Sequence, residues 1–244
     1  MVHTKHLWGA VLALSAGLAA IASADTVTVT QTGISEYRIF DTSMDGGNTY
    51  HRTSAGTLHW KRNDTQAGGP VGVFDTFCIE LTQKIGYGRY NYNIVGLEDA
   101  PTIGGMEVGE GLTKADLVRE LWGRHRRDVI DSNTSAAFQL AVWEIVYDEV
   151  RSGDGSLNLH KSLDLKDGAF RVKDPIANQP YLATAQNWLW ELDGTGPMEH
   201  LMAMTNSRYQ DQVYQVPLPT AAWAGMAIML LMVTRKVKRA LAGE

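Results

Sequence analysis

The chain has 244 residues, 44% of them hydrophobic and 20% charged, with a formal net charge of −5. That is enough length and apolar content for a packed core. Residues 25–216 are more acidic still, because Lys5, Arg235, Lys236, Lys238 and Arg239 belong to the two ends, against Glu244 alone. Such a surface gives phosphates no attraction, so nucleic-acid binding is set aside.

Residues 1–24 carry Lys5, an apolar run from Leu7 to Ile21, and Ala22-Ser23-Ala24 before Asp25. This is the layout of a secretory signal peptide with a small-x-small cleavage site. Residues 25–216 form the folded unit. Its first third alternates β-branched and aromatic residues over Thr26–Thr32, Ser35–Asp41, Thr57–Arg62, Val71–Leu81 and Tyr87–Val95. Gly46-Gly47-Asn48, Asn63-Asp64 and Gly68-Gly69-Pro70 punctuate these runs as turns. After Pro101–Gly111 the period changes. Lys114–Trp122 reads as a helix with Thr113 as its N-cap, and Phe138, Ala141, Val142 and Ile145 mark a second helix. Ser132, Thr134 and Ser135 offer caps for that second helix. Ser152–Asp167 reads as a loop or short hairpin, Tyr181–Leu192 as a third helix, and Gln210–Val216 as a closing strand. The predicted fold is α+β: an antiparallel sheet or sandwich, a helical insertion over about 113–192, and a C-terminal return strand.

Cys78 is the only cysteine, so an exported chain leaves it with no internal disulfide partner. It is a buried small hydrophobe, a link to another molecule, or a group used in chemistry. Strand alternation sends Phe77, Ile79 and Leu81 to one face, and Thr76, Cys78 and Glu80 to the other, where a helix carrying Gln139 can pack. Trp143 lies one turn beyond Gln139 on the same side of that helix.

Phe77-Cys78-Ile79-Glu80, followed by Phe138-Gln139-Leu140-Ala141-Val142-Trp143, resembles the paired signature of the thioester domains of bacterial surface adhesins. Those domains carry an aromatic-Cys-Ile-acidic strand and a later Thr-Gln-x-Ala-x-Trp segment. Phe138 stands where the family usually has threonine. The resemblance implies an internal thioester between Cys78 and Gln139, opened once by an amine on a partner, with no cofactor and no turnover. The chemistry needs a sulfur nucleophile, proximity and donors for the developing oxyanion. Glu80 is a candidate proton shuttle or a solvated sheet residue. Phe138, Trp143 and Tyr147 are candidates to shield the bond.

Residues 217–244, together with Val216, make a third segment. Val216-Pro217-Leu218-Pro219, an apolar run from Ala221 to Val233 and the basic cluster Arg235, Lys236, Lys238 and Arg239 resemble the PEP-CTERM sorting signal. That resemblance implies a Gram-negative source, an exosortase-like processing enzyme, and membrane attachment through the tail, at least for a time. A retained anchor is the alternative. Either places the fold at the cell surface, the outer membrane or the extracellular matrix, with an amine-bearing surface protein or polysaccharide matrix as partner.

His51, His59, His125, His160 and His200 are scattered without metal-ligand spacing, so no metal site is expected. Glu144 and Asp148, four apart on one helix, read as a solvated face. Trp188 and Trp190 are candidates to stack on sugars or to pack the last helix on the sheet. Two other readings stay open. One is a non-reactive structural or carbohydrate-binding matrix protein with Cys78 simply buried. The other is a cysteine-dependent hydrolase.

Overall fold

The computed structural model describes residues 25–64, 69–103, 107–109, 111–149, 159–173 and 179–216. The signal-like segment, Pro217, Leu218, Pro219, the apolar run and the basic cluster of the tail lie outside the described residues, as do residues 152–158 of the expected loop. Among those described, no helix is long and apolar enough to cross a membrane.

The strands in chain order are β1 (Asp25–Ser43), β2 (His51–Arg62), β3 (Val73–Cys78), β4 (Arg89–Gly96), β5 (Glu107–Gly109), β6 (Leu112–Thr113), β7 (Arg171–Lys173), β8 (Leu201–Thr205) and β9 (Gln212–Gln215). The helices are α1 (Lys114–His125), α2 (Ser132–Tyr147), α3 (Leu159–Ser162) and α4 (Pro180–Trp190). The architecture is α+β with a large antiparallel sheet. Two of the expected strands, Thr26–Thr32 and Ser35–Asp41, are one long strand. Its first part pairs with β4 and the rest with β2. β1, β2, β3, β9, β8 and β4 therefore pair in a closed ring, and β7 adds to the end of β1. Closure leaves these strands few free edges to protect.

Inside the ring, Trp60 of β2 meets Tyr92 of β4 edge-to-face at 5.5 Å. The Trp60 indole N–H donates to Thr76 Oγ1 (2.9 Å), and the Thr76 hydroxyl donates to Gln212 Oε1 (2.9 Å). A buried polar chain of this kind holds together three strands that local propensity alone would not bring into register. Outside the ring, Phe77 packs at a tilt against Phe138 of α2 at 4.5 Å and meets Trp122 of α1 edge-on at 5.8 Å. The alternation expected for this strand is thus corrected: Thr76 points into the ring and Phe77 toward the helices. Because β3 stops at Cys78, the alternation does not continue to Glu80.

Asp131, not the serines and threonine after it, caps α2. Its carboxylate accepts from the backbone N–H groups of Asn133 (2.9 Å) and Thr134 (2.8 Å), while Thr134 Oγ1 accepts from Asp131 N–H. Thr113 caps α1 as the sequence suggests. Two further bonds seat the start of α2 on the sheet: Ser135 Oγ with Thr57 Oγ1 (2.7 Å), and Arg38 Nε–H to Asn133 Oδ1 (3.0 Å). Trp188 packs on His125 and Phe138, which carry it onto the neighbouring helices. Trp190 is exposed beside His160.

β2 and β3 run together from Lys61↔Val73 to Leu58↔Thr76 and then part. Continued, the register would set Gly56 opposite Cys78. At that point β1 bulges between Ser35 and Arg38, with Glu36 at φ 52°. A Cβ on Gly56 would lie 2.6 Å from Tyr37 Cβ and 2.8 Å from its Cα. The glycine admits the bulge, and the bulge draws β2 away from β3. Gly56→Ala is therefore expected to destabilise the fold by about 1–3 kcal/mol through overpacking, read as a lower urea midpoint.

Candidate functional site

The gap left by β2 is filled by a side chain. The Cys78 backbone N–H donates to Gln139 Oε1 at 2.8 Å, and Gln139 Nε2–H donates back to the Cys78 carbonyl at 2.7 Å. On its other side Cys78 pairs with Gln212 of β9. The Gln139 carboxamide thus stands where the next strand would be, satisfying both backbone groups of a buried residue. Cys78 and Gln139 are both at least 98% buried.

Residues 78–81 are held one by one. Ile79 N–H donates to the Asp211 carbonyl (3.0 Å). The Cys78 thiol donates to the Glu80 carbonyl (2.7 Å), and Glu80 N–H points back at the sulfur (3.3 Å). Leu81 N–H donates to the Tyr147 hydroxyl (2.6 Å). Gln139 and Tyr147 are two turns apart on α2, with Trp143 between them on the same stripe. The Trp143 indole N–H is buried and meets no hydrogen-bond acceptor at ordinary distance among the described residues. It nevertheless lies near enough to the sulfur to favour the thiolate.

Burial pushes the Cys78 thiol up to about 12, and the negative charges of Glu80 and Asp211 add to the rise. The Glu80 backbone N–H and the Trp143 N–H oppose it. Asp211 is pushed up to about 6, first by burial and then by Glu80, against the stabilising N–H of Asn206. The Glu80 carboxylate is buried and accepts from the Thr82 hydroxyl, so it is not the solvated sheet residue allowed by the sequence.

A groove of about 810 Å³ opens on this corner, and Cys78, Gln139, Trp143 and Gly56 line it. Of the three aromatic residues expected to shield the sulfur, Trp143 lines the groove and Tyr147 anchors the turn beside it. Phe138 faces Phe77, Trp122 and Trp188 instead, because it sits a helical step away from the Gln139 stripe.

Glu144 and Asp148 depart from expectation. Both are buried: the loop before β7 covers them, and Asp148 Oδ1 accepts from the backbone N–H groups of Ala169 and Phe170. Burial, with the Asp148 charge added, raises Glu144 well above the ordinary carboxyl range. Lys114, on the neighbouring helix, donates to the Val146 carbonyl at 2.7 Å. Nothing brings this cluster to Cys78. Among the described residues no group of three or more His, Cys, Asp or Glu is placed to hold a metal. Sequence reasoning did not single out Gly56, Asp131 or Asp211; a lone Gly inside a strand pattern was the one available signal.

No family model matches the sequence, and neither does any curated protein. Among solved structures, the chain is similar to the N-terminal domain of the Streptococcus pyogenes pilus tip adhesin Cpa. The identity is 13% and the TM-score 0.41, over 77% of this chain and 96% of that one. At that identity no residue role passes from one chain to the other.

Two measurements follow from this geometry. In Gln139→Ala the Cys78 N–H and C=O lose their partner, at a cost of about 1–3 kcal/mol for each buried group. In that variant the burial that raises the Cys78 thiol should still make it alkylate at pH 8 far more slowly in the native than in the unfolded chain. Comparable rates would show the sulfur to be accessible and ionised. The raised carboxyl of Asp211 makes a pH prediction. Its neutral form favours the fold, so that contribution is complete below pH 3.8 and is lost as pH rises through about 6. Asp211→Asn should flatten the urea midpoint over this window.

Proposed function

We propose that Cys78 and Gln139 condense into an internal thioester, which an amine on a partner opens once to join this exported domain covalently to a surface or matrix. The observation that carries the reading is the two-point hydrogen bond between the Gln139 carboxamide and the Cys78 backbone. The resemblance of the two motifs to thioester domains supports it independently.

In the condensation, Sγ bonds to Gln139 Cδ, the C–N bond breaks, and the thiol proton leaves with Nε2 as ammonia. Negative charge gathers on Oε1, where the Cys78 N–H already donates at 2.8 Å, a preorganised oxyanion donor. With the thiol at about 12, ionising it in advance costs about 7 kcal/mol at pH 7. The proton therefore leaves the sulfur together with the attack. The bond so formed also removes a buried thiol that has to remain neutral. In the second step an amine nitrogen bonds to Cδ, the C–S bond breaks, and a proton passes to Sγ. The products are an amide through Gln139 and a free Cys78 thiol. Nothing regenerates the thioester, so each molecule acts once.

Export by the N-terminal segment and processing of the Val216-Pro217-Leu218-Pro219 tail by an exosortase-like enzyme complete the proposal, with the fold delivered to the cell surface or matrix. A second reading has its own observation. Cys78 is 2% exposed and its neighbours satisfy it, which suits an unreacted buried thiol in a structural or carbohydrate-binding matrix protein.

Intact mass of the full chain separates the two. The thioester leaves the chain one ammonia lighter than its sequence. Methylamine adds at Gln139 and releases one thiol, and Cys78→Ala shows neither change. A chain of full sequence mass that is inert to methylamine at every pH at which it stays folded would retire the thioester and leave the buried-thiol reading.

A further inference from the structure

The groove over Cys78 and Gln139 differs in charge from the protein around it. The chain is acidic, yet none of the described residues lining this groove is a carboxylate, whereas His51, Arg52 and Lys84 are among them. All three are exposed. Arg52 and Lys84 form no ion pair with any described residue. Unpaired cations gathered in a cleft of an anionic protein concentrate the local field and attract an anionic partner.

The remaining lining narrows the chemistry. Gln31, Thr53, Ser54 and Gln83 supply amides and hydroxyls, and Tyr87 stands at the groove 77% exposed. An exposed aromatic ring with amide and hydroxyl neighbours suits the alternating apolar faces and hydroxyls of sugar rings. The cations suit carboxylates on those sugars. They also disfavour an ammonium ion entering the groove, so the incoming amine is held in its neutral, nucleophilic form.

Resting on the thioester reading above, we propose that this groove docks a carboxylate-bearing polysaccharide, and that the amine opening the thioester is an amino sugar of the same polymer. The amino-sugar nitrogen bonds to Gln139 Cδ, the C–S bond breaks, and the proton shed by the nitrogen goes to Cys78 Sγ.

The test uses the full chain with hyaluronate, which is carboxylated but N-acetylated, and with its partly de-N-acetylated and carboxyl-reduced forms. A glutamate–lysine copolymer serves as the acidic peptide. Docking is measured on Cys78→Ala, which cannot bond. Hyaluronate should bind it and carboxyl-reduced hyaluronate should not. Adding Arg52→Ala and Lys84→Ala should weaken binding roughly tenfold, and Arg52→Lys with Lys84→Arg should restore it. On the unsubstituted chain, de-N-acetylated hyaluronate should form an adduct at Gln139 that prior methylamine blocks. Absence of hyaluronate binding, binding indifferent to the two cations, or preference for the copolymer would each overturn the docking assignment. Docking without adduct in a chain that methylamine still labels would overturn the amino-sugar step and leave the thioester standing. Failure of methylamine to label would instead strike the thioester itself, while docking is judged on Cys78→Ala alone.

Discussion

A single side-chain amide standing in for a missing β-strand is the constraint on which the rest of this structure depends. Cys78 is buried, and its peptide groups must find partners. β9 faces one side of it, while β2, which would face the other, has parted two residues earlier. Gln139 reaches into the opening and satisfies both the N–H and the C=O. The sheet and the helix layer thus meet through a specific polar contact, whereas Phe77 against Phe138 and Trp122 provides the non-directional burial beside it.

Holding one carboxamide in that position requires the helix carrying it to be fixed in both translation and rotation. The Asp131 cap defines where α2 begins, and the Thr57–Ser135 and Arg38–Asn133 bonds tie its first turn to β2 and β1. Two turns beyond Gln139, Tyr147 grips Leu81 N–H. The helix is therefore anchored at both ends of the stripe that faces residues 78–81. Such anchoring removes the freedom that a reacting pair would otherwise lose on approach.

The sequence carried the ends of this contact better than its cause. Cys78 stood out as a lone thiol, and Gln139 fell at helical spacing from Trp143. Thr113 was readable as the N-cap of α1; the reciprocal bond from Asp116 is added by the structure. Ring closure was not readable. It depends on one long strand pairing with β4 on one edge and β2 on the other, overlapping at Val29 and Thr30, and each half of β1 reads locally as an ordinary strand. Gly56 was equally silent, since its meaning comes from the β1 bulge packed across it. The face of Glu144 and Asp148 misled for a similar reason. Acids four apart on a helix suggest solvent until a distant loop, here residues 165–170, folds over them. Local pattern records which residues are apolar or special, but not which remote segment will cover them.

Three features of the corner bear on the choice between a plug and the reactive pair proposed above. A glutamine that only replaces a strand bonds to the backbone of residue 78 and has no use for the side chain there; alanine or serine would serve equally well. Nor does a plug need an indole N–H left unpartnered beside a sulfur, at the cost that a buried orphan donor carries. A plug also gains nothing from an open groove reaching both partners, since the same satisfaction is better kept from water when closed over. Sulfur, orphan donor and groove occur together at Cys78 and Gln139. On the proposed thioester reading, the first two serve the attack on the carboxamide carbon, and the third gives the resulting bond a route to the outside.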